Sequence, residues 1–164
     1  MEVRPVRAHE LDELGVLTVA AYQDLEGGTD LGGYAGVLRD VAARASAATV
    51  LVAVDGDVVI GGVTFVPEPD NPYAEELQEG EAGTRMLAVG PSAQGRGAGR
   101  ALATACVERA RGRGAIRVAL HSTPWMSAAH GLYESMGFRR APGRDLVVPP
   151  AVTLLSFVLD LTDR

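Results

Sequence analysis

The chain has 164 residues, 47% of them hydrophobic and 22% charged, so one globular domain over residues 1–164 with a core of its own is expected. Its net charge of -6 argues against a general nucleic-acid binder, and its 15 basic residues are all arginine, which excludes a GK[ST] phosphate loop and an internal lysine Schiff base. Apolar runs such as Ala47 to Val54 are too short to span a membrane, the opening residues carry no secretion-signal pattern, and the single Cys106 allows no internal disulfide, so a cytoplasmic protein is expected. Along the chain, Met1 to Arg7 reads as a short strand. Ala8 to Leu25 places Leu11, Leu14, Leu17 and Ala21 at the spacing of one helix face. After a break at Gly27-Gly28, a second helix is predicted over Leu31 to Ala45. Thr49 to Val54 and Val58 to Val66 are strands joined by a turn at Asp55-Gly56. Pro67 to Gly83 holds three prolines and six acids without periodicity and reads as a loop. Thr84 to Val89 is a strand, Gly99 to Gly112 a helix, Ile116 to His121 a strand and Ser127 to Met136 a helix. Phe138-Arg139-Arg140 and Thr153 to Leu161 are the final strands.

The segment from Ala88 to Leu102, AVGPSAQGRGAGRAL, places four glycines between a strand and a helix. A helix start leaves its first amide N–H groups unpaired and adds the positive end of the backbone dipoles, which together attract an anion. Glycines at 97 and 99 leave those amides unobstructed, and Arg96 and Arg100 lie within reach of phosphate oxygens. The same glycines would also serve a plain connecting turn. A dinucleotide-binding reading fails, because both Gly95-x-Gly97-x-x-Arg100 and Gly97-x-Gly99-x-x-Leu102 lack the third glycine. The next strand also ends in His121-Ser122-Thr123, with no acid for a ribose.

Gln94-x-x-Gly97-x-Gly99 resembles the QxxGxG pyrophosphate loop of the GCN5-related N-acetyltransferase (GNAT) superfamily. Ala129-His130-Gly131-Leu132-Tyr133-Glu134-Ser135-Met136-Gly137-Phe138 is similar to that family's AxxLYxxxGF segment, and the likeness extends from about Val50 to Phe157. The resemblance implies an α/β (α+β) fold with a central mixed, V-splayed sheet flanked by helices and acetyl-CoA in the cleft. It implies an N-acetyltransferase acting on a primary amine of an unidentified small molecule or peptide; separately, three scattered His and one Cys offer no metal-ligand spacing, so no metal is expected. The cofactor contacts it implies are Leu87, Ala88 and Val89 on the strand edge, Gln94, Gly95, Arg96, Gly97, Ala98, Gly99 and Arg100 in the loop, and Ser127 and Tyr133 on the last helix. Tyr133 is implied as the proton donor to the leaving thiolate, with packing as the alternative role. Many members carry Asn where this chain has Met126, so Ser127 is the substitute contact if there is one. A non-catalytic acyl-CoA-binding module is the alternative function, and monomer and homodimer are both open.

The general base is read from position. Of the six acids between Glu68 and Glu81, Glu81 lies closest to the strand expected to carry the thioester and is the first candidate for a base with a raised pKa; Glu79 is second and His121 third. The remaining acids would attract a cationic acceptor. Cys106 falls on an apolar helix face, His9 and His130 on exposed or rim positions, and Arg109, Arg111, Arg113 and Arg117 on a solvated face, one of them with a possible reach to the adenosine phosphate. Trp125 is either a wall of the acceptor pocket or a core or lid aromatic.

Overall fold

The computed structural model describes residues 1–25, 31–148 and 152–162. The chain opens with β1 (Glu2–Pro5) and a single 3-10 turn (Ala8–Glu10) that leads into α1 (Leu11–Leu25). Glu10 anchors this entry. Its buried carboxylate accepts from Nη1 and Nη2 of Arg4, at 2.9 and 2.8 Å, and from the Arg7 N–H at 2.9 Å. The bonds from Arg4 outweigh the cost of burial and hold its pKa at about 2.

The helix predicted over Leu31 to Ala45 is two helices, α2 (Tyr34–Arg39) and α3 (Val41–Ala47). Asp40 divides them, because its side chain accepts from the Ala43 N–H and caps α3. The expected break at Gly27-Gly28 lies outside the described residues. Where α1 meets the end of α2, the missing side chain of Gly15 admits the Arg39 carbonyl, and a Cβ there would overlap that backbone oxygen. Gly15→Ala is therefore expected to destabilise the fold by about 1–3 kcal/mol, read by chemical denaturation, because backbone cannot give way as a flexible side chain can.

Strands β2 (Thr49–Asp55) and β3 (Val58–Val66) form the expected hairpin, with Gly56 at φ +62° in its turn. The acidic segment ends at Gly80, three residues earlier than predicted, and β4 spans Glu81–Val89. Then follow α4 (Ala98–Gly112), β5 (Arg117–Ser122), α5 (Ser127–Ser135), β6 (Arg139–Arg140), β7 (Leu146–Val148) and β8 (Val152–Asp160). The sheet order is β1-β2-β3-β4-β5-β8-β6, with β7 also paired to β8. Among these pairings only β4–β5 is parallel, so the sheet is mixed, and the helices pack on its faces as expected.

One face is covered by α4, whose Leu102, Cys106, Val107 and Ala110 bury against Leu51, Phe65, Val118, Leu120 and Phe157. Cys106 is fully enclosed, and burial pushes its thiol up to about 12, so it is an inert core residue. Leu14 of α1 packs with Val50, Val52, Val54 and Val59 in a second cluster. No helix among the described residues is long and apolar enough to cross a membrane.

Candidate active site

Strands β4 and β5 run side by side only through Glu81–Arg117, Ala82–Val118 and Gly83–Ala119. Beyond Gly83 they diverge, so the second half of β4 has a free edge facing the gap. A bulge lies in this half: Gly62 pairs with Ala88 but Thr64 with Arg85, leaving Met86 and Leu87 opposite Val63 alone. Met86 takes φ +57°, a conformation that L side chains rarely adopt and that concentrates at functional positions. After the bulge, the Gly90 N–H bonds to the Ile60 carbonyl on β3 at 2.9 Å. Backbone groups alternate sides along a strand, so the N–H of Val89 points the other way, into the gap.

The Gly-rich loop meets β4 at that point. Gly97 caps α4 in the left-handed region at φ +84° and Gly95 is at φ +83°; a Cβ at either would meet nothing within 4 Å. Among the described residues, the amides of Gly95 to Arg100 donate to no backbone carbonyl, as a helix start leaves them. Gly99 lies between β4 and α5, its Cβ position 3.7 Å from Val89 and 3.5 Å from Leu132. Arg100 donates to the Ser135 hydroxyl of α5, and Arg96 pairs with Asp55 at 3.1 Å in an exposed contact. Ser127 is exposed in the first turn of α5, where Met126 supplies no side-chain cap.

Tyr133, on α5, is 6% exposed and packs against Phe138 and Phe157 at ring separations of 5.5 and 5.9 Å. Among the described residues its hydroxyl has no hydrogen-bond partner. Burial pushes its phenol well above the ordinary value. Strand edge, loop and tyrosine thus converge at one end of the gap, with Leu87, Val89 and Tyr133 in contact with one core.

Glu81 does not join them, which corrects the first choice of base. It lies eight residues before Val89, roughly 25 Å along the strand. Its side chain is fully buried and accepts from Arg144 at 2.7 and 2.8 Å, from Arg117 at 2.9 Å and from the Gln78 N–H at 2.9 Å. Burial alone would raise its pKa, but the bonds from Arg144, Gln78 and Arg117 prevail and hold it below the usual carboxylate range, opposite to the expected direction. A carboxylate that accepts three bonds from two guanidinium groups and a fourth from a backbone N–H has little tendency to accept a proton. The same network removes Arg117 from the expected solvated face, since it also pairs with Asp160 at 2.6 Å. Glu79 is exposed on the segment before the strand.

On the other side of the gap, His121 of β5 lines a small concavity between the strands together with Tyr73, Glu75, Arg85 and Ala119. Glu75 and Arg85 pair there at 3.4 Å. His130 is half-buried and bonds to the Ser122 hydroxyl and the Thr123 carbonyl, so it ties α5 to the end of β5. Trp125 is 43% exposed in the turn before α5, which excludes a core role. Arg144 and the left-handed backbone of Met86 were not anticipated; Glu81, the carboxylate partner of Arg144, lies 63 positions away, and no local pattern marks either feature. Among the described residues no group of three or more His, Cys, Asp or Glu could hold a metal ion.

The model of the acetyltransferase (GNAT) family matches residues 18–138. No curated protein matches the chain. Among solved structures, the ribosomal-protein-alanine N-acetyltransferase of Brucella melitensis is 23% identical, with 98% of this chain and 100% of that one covered at a TM-score of 0.71. A GNAT family acetyltransferase from the same organism, in complex with acetyl-CoA, is 23% identical over 98% of this chain and 87% of that one at 0.65. The PaiA N-acetyltransferase of Thermoplasma acidophilum, in complex with coenzyme A, is 14% identical over 94% and 96% at 0.69. At such identities the likeness concerns the fold, and it is the family match over most of the chain that assigns it: the protein belongs to the GNAT acetyltransferase family.

Proposed function

We propose that this chain is an acetyl-CoA-dependent N-acetyltransferase that acts as one domain over residues 1–164 on a primary amine of a small molecule or peptide. The observation that carries the reading is the convergence of a free strand edge at Val89, unpaired amides at Gly95 to Arg100 and the partnerless hydroxyl of Tyr133. Acetyl-CoA supplies an acyl thioester and a thiolate leaving group. The loop amides, open because Gly95 and Gly97 carry no side chain, receive the pyrophosphate, with Gln94, Arg96, Ala98, Gly99 and Arg100 around it. The edge from Leu87 through Ala88 to Val89 pairs with the amide-bearing arm as with an added strand, and Ser127 contacts it from α5. The Val89 N–H then faces the carbonyl oxygen, where negative charge builds during attack, so its contribution is made in the transition state. Tyr133 keeps its proton throughout the working pH range and presents it to the departing sulfur.

The acceptor enters from the concavity side, between Tyr73, Glu75, Arg85 and His121. The decisive experiment is the appearance of free CoA thiol on mixing the protein with acetyl-CoA and a panel of amines. Binding of acetyl-CoA without thiol release for any amine would favour a non-catalytic binding module instead. A second expectation concerns the loop. Gly97→Val puts a branched side chain on the open side of the amides and strains a left-handed position, so acetyl-CoA binding should weaken at least about tenfold, or roughly 1.4 kcal/mol. Calorimetry on the folded variant checks this, and unchanged affinity would refute the loop assignment.

A further inference from the structure

We infer that His121 is the proton acceptor for the incoming amine, an assignment that rests on the acetyltransferase reading above. Its Nε2 lies 3.0 Å from the Arg144 carbonyl oxygen. A carbonyl only accepts, so Nε2 carries the hydrogen, and in the neutral ring the lone pair is on Nδ1. Nδ1 is buried and, among the described residues, has no partner. A buried acceptor left unpaired is costly, and a ring that lines the acceptor-side concavity gains its missing partner when a donor N–H enters.

The ring is also held in place. Arg144, whose carbonyl fixes the tautomer, is anchored through its own guanidinium to both oxygens of Glu81. Glu81 is thus a positioning residue for the base rather than the base. The charged and titratable groups around His121 are Tyr73 and Glu75 from the segment before β4, Arg85 on β4, and Arg144 and Asp145 from the turn after β6; Ser156 on β8 is its strand partner. Arg144 and Asp145 are engaged with Glu81 and Arg140 respectively, and Glu75 with Arg85. None of them is bonded to Nδ1.

An alkylammonium has no lone pair for attack. Nδ1 takes one proton from it, giving an imidazolium and a free amine. The amine pair forms the C–N bond as the C–S bond breaks, Tyr133 donates its hydroxyl proton to sulfur and is reprotonated by the second proton lost from nitrogen, and His121 releases its proton to water. Atoms and charges then balance as ammonium plus thioester giving amide, thiol and one proton.

The test uses His121→Gln, which keeps an N–H near the Nε2 position for the Arg144 carbonyl and has no basic nitrogen at Nδ1. With an alkylamine from the screen, kcat/KM at neutral pH should fall about 10²-fold while acetyl-CoA affinity and Tm stay the same. The deficit should shrink as pH approaches the amine's own pKa, because an already free amine needs no base. A wild-type kcat/KM, or a deficit equal at every pH, overturns the proposal. Nitrogen-15 spectra of the wild-type histidines give a readout independent of turnover: a neutral His121 with its proton on Nδ1 also overturns it. Failure of the acetyltransferase reading looks different, since wild type would then release no thiol with any amine, which overturns both.

Discussion

Tyr133→Phe is expected to lower kcat by about 10²-fold, equivalent to about 2.7 kcal/mol in the barrier, while acetyl-CoA affinity stays within about twofold. The substitution removes one oxygen and leaves the ring, so the contacts with Phe138 and Phe157 that fix the end of α5 are preserved. Because the hydroxyl has no protein partner among the described residues, its loss strands no buried donor or acceptor, and Tm should hold within a degree or two. The high phenol pKa sets a further expectation. Tyr133 remains protonated across the working range, so wild type and variant should differ in the height of the kcat profile and not in the position of its basic limb. Steady-state kinetics with a thiol readout, paired with calorimetry, separate the cases. A variant with wild-type kcat would leave the ring as packing alone, whereas equal losses in affinity and rate would mean that α5 had moved.

The parts of this architecture that could be read along the chain are those whose causes are local. The β2–β3 hairpin follows from β-branched runs around Asp55-Gly56, and the start of α4 follows from glycines whose backbone must be left-handed or bare. Asp40 was equally visible, but a capping aspartate inside an otherwise periodic stretch resembles a surface residue until the backbone turns there. The three-residue β7 has no signal of its own and exists because β8 offers it an edge. The start of β4 reads as loop in the sequence for a related reason. Glu81 in an acid-rich stretch looks solvated, and only the two arginines brought to it by β5 and the turn after β6 make its burial tolerable. The site divides the same way. The loop and Tyr133 belong to contiguous motifs, while the bulge at Met86 and the tautomer of His121 depend on strands meeting across the sheet.

The splay itself has a physical origin in that same end of β4. Parallel pairing stops after Gly83, where a Cβ would lie 3.2 Å from the Ala119 carbonyl and 3.1 Å from Leu77, so the last paired position has room only for a residue without a side chain. On one side of that closure the Glu81 network clamps β4, β5 and the Arg144 turn together. On the other, the bulge turns β4 away and opens the edge at Val89.

Glu81→Gln is accordingly expected to be among the most damaging single substitutions for stability, at about 3 kcal/mol at neutral pH. Removing one partner of a buried ion pair costs about 3–5 kcal/mol. The lower end applies because Arg117 keeps Asp160 and both arginines are partly exposed, at 28% and 20%, so water takes up some of their lost pairing. For a chain of this size that corresponds to a fall in Tm of about 6–12 °C. The pH dependence carries the sharper signature. The folded pKa of Glu81 is depressed, so its contribution is fully present above the ordinary glutamate value of about 4.3 and is lost as pH falls through the folded value. Wild type and Glu81→Gln should therefore differ most at neutral pH and converge in acid, where a protonated Glu81 is nearly isosteric with the amide. Denaturation midpoints at a series of pH values check this. A gap that stays constant into acid would mean that the substitution acts through packing and that the carboxylate charge does not hold the three segments together.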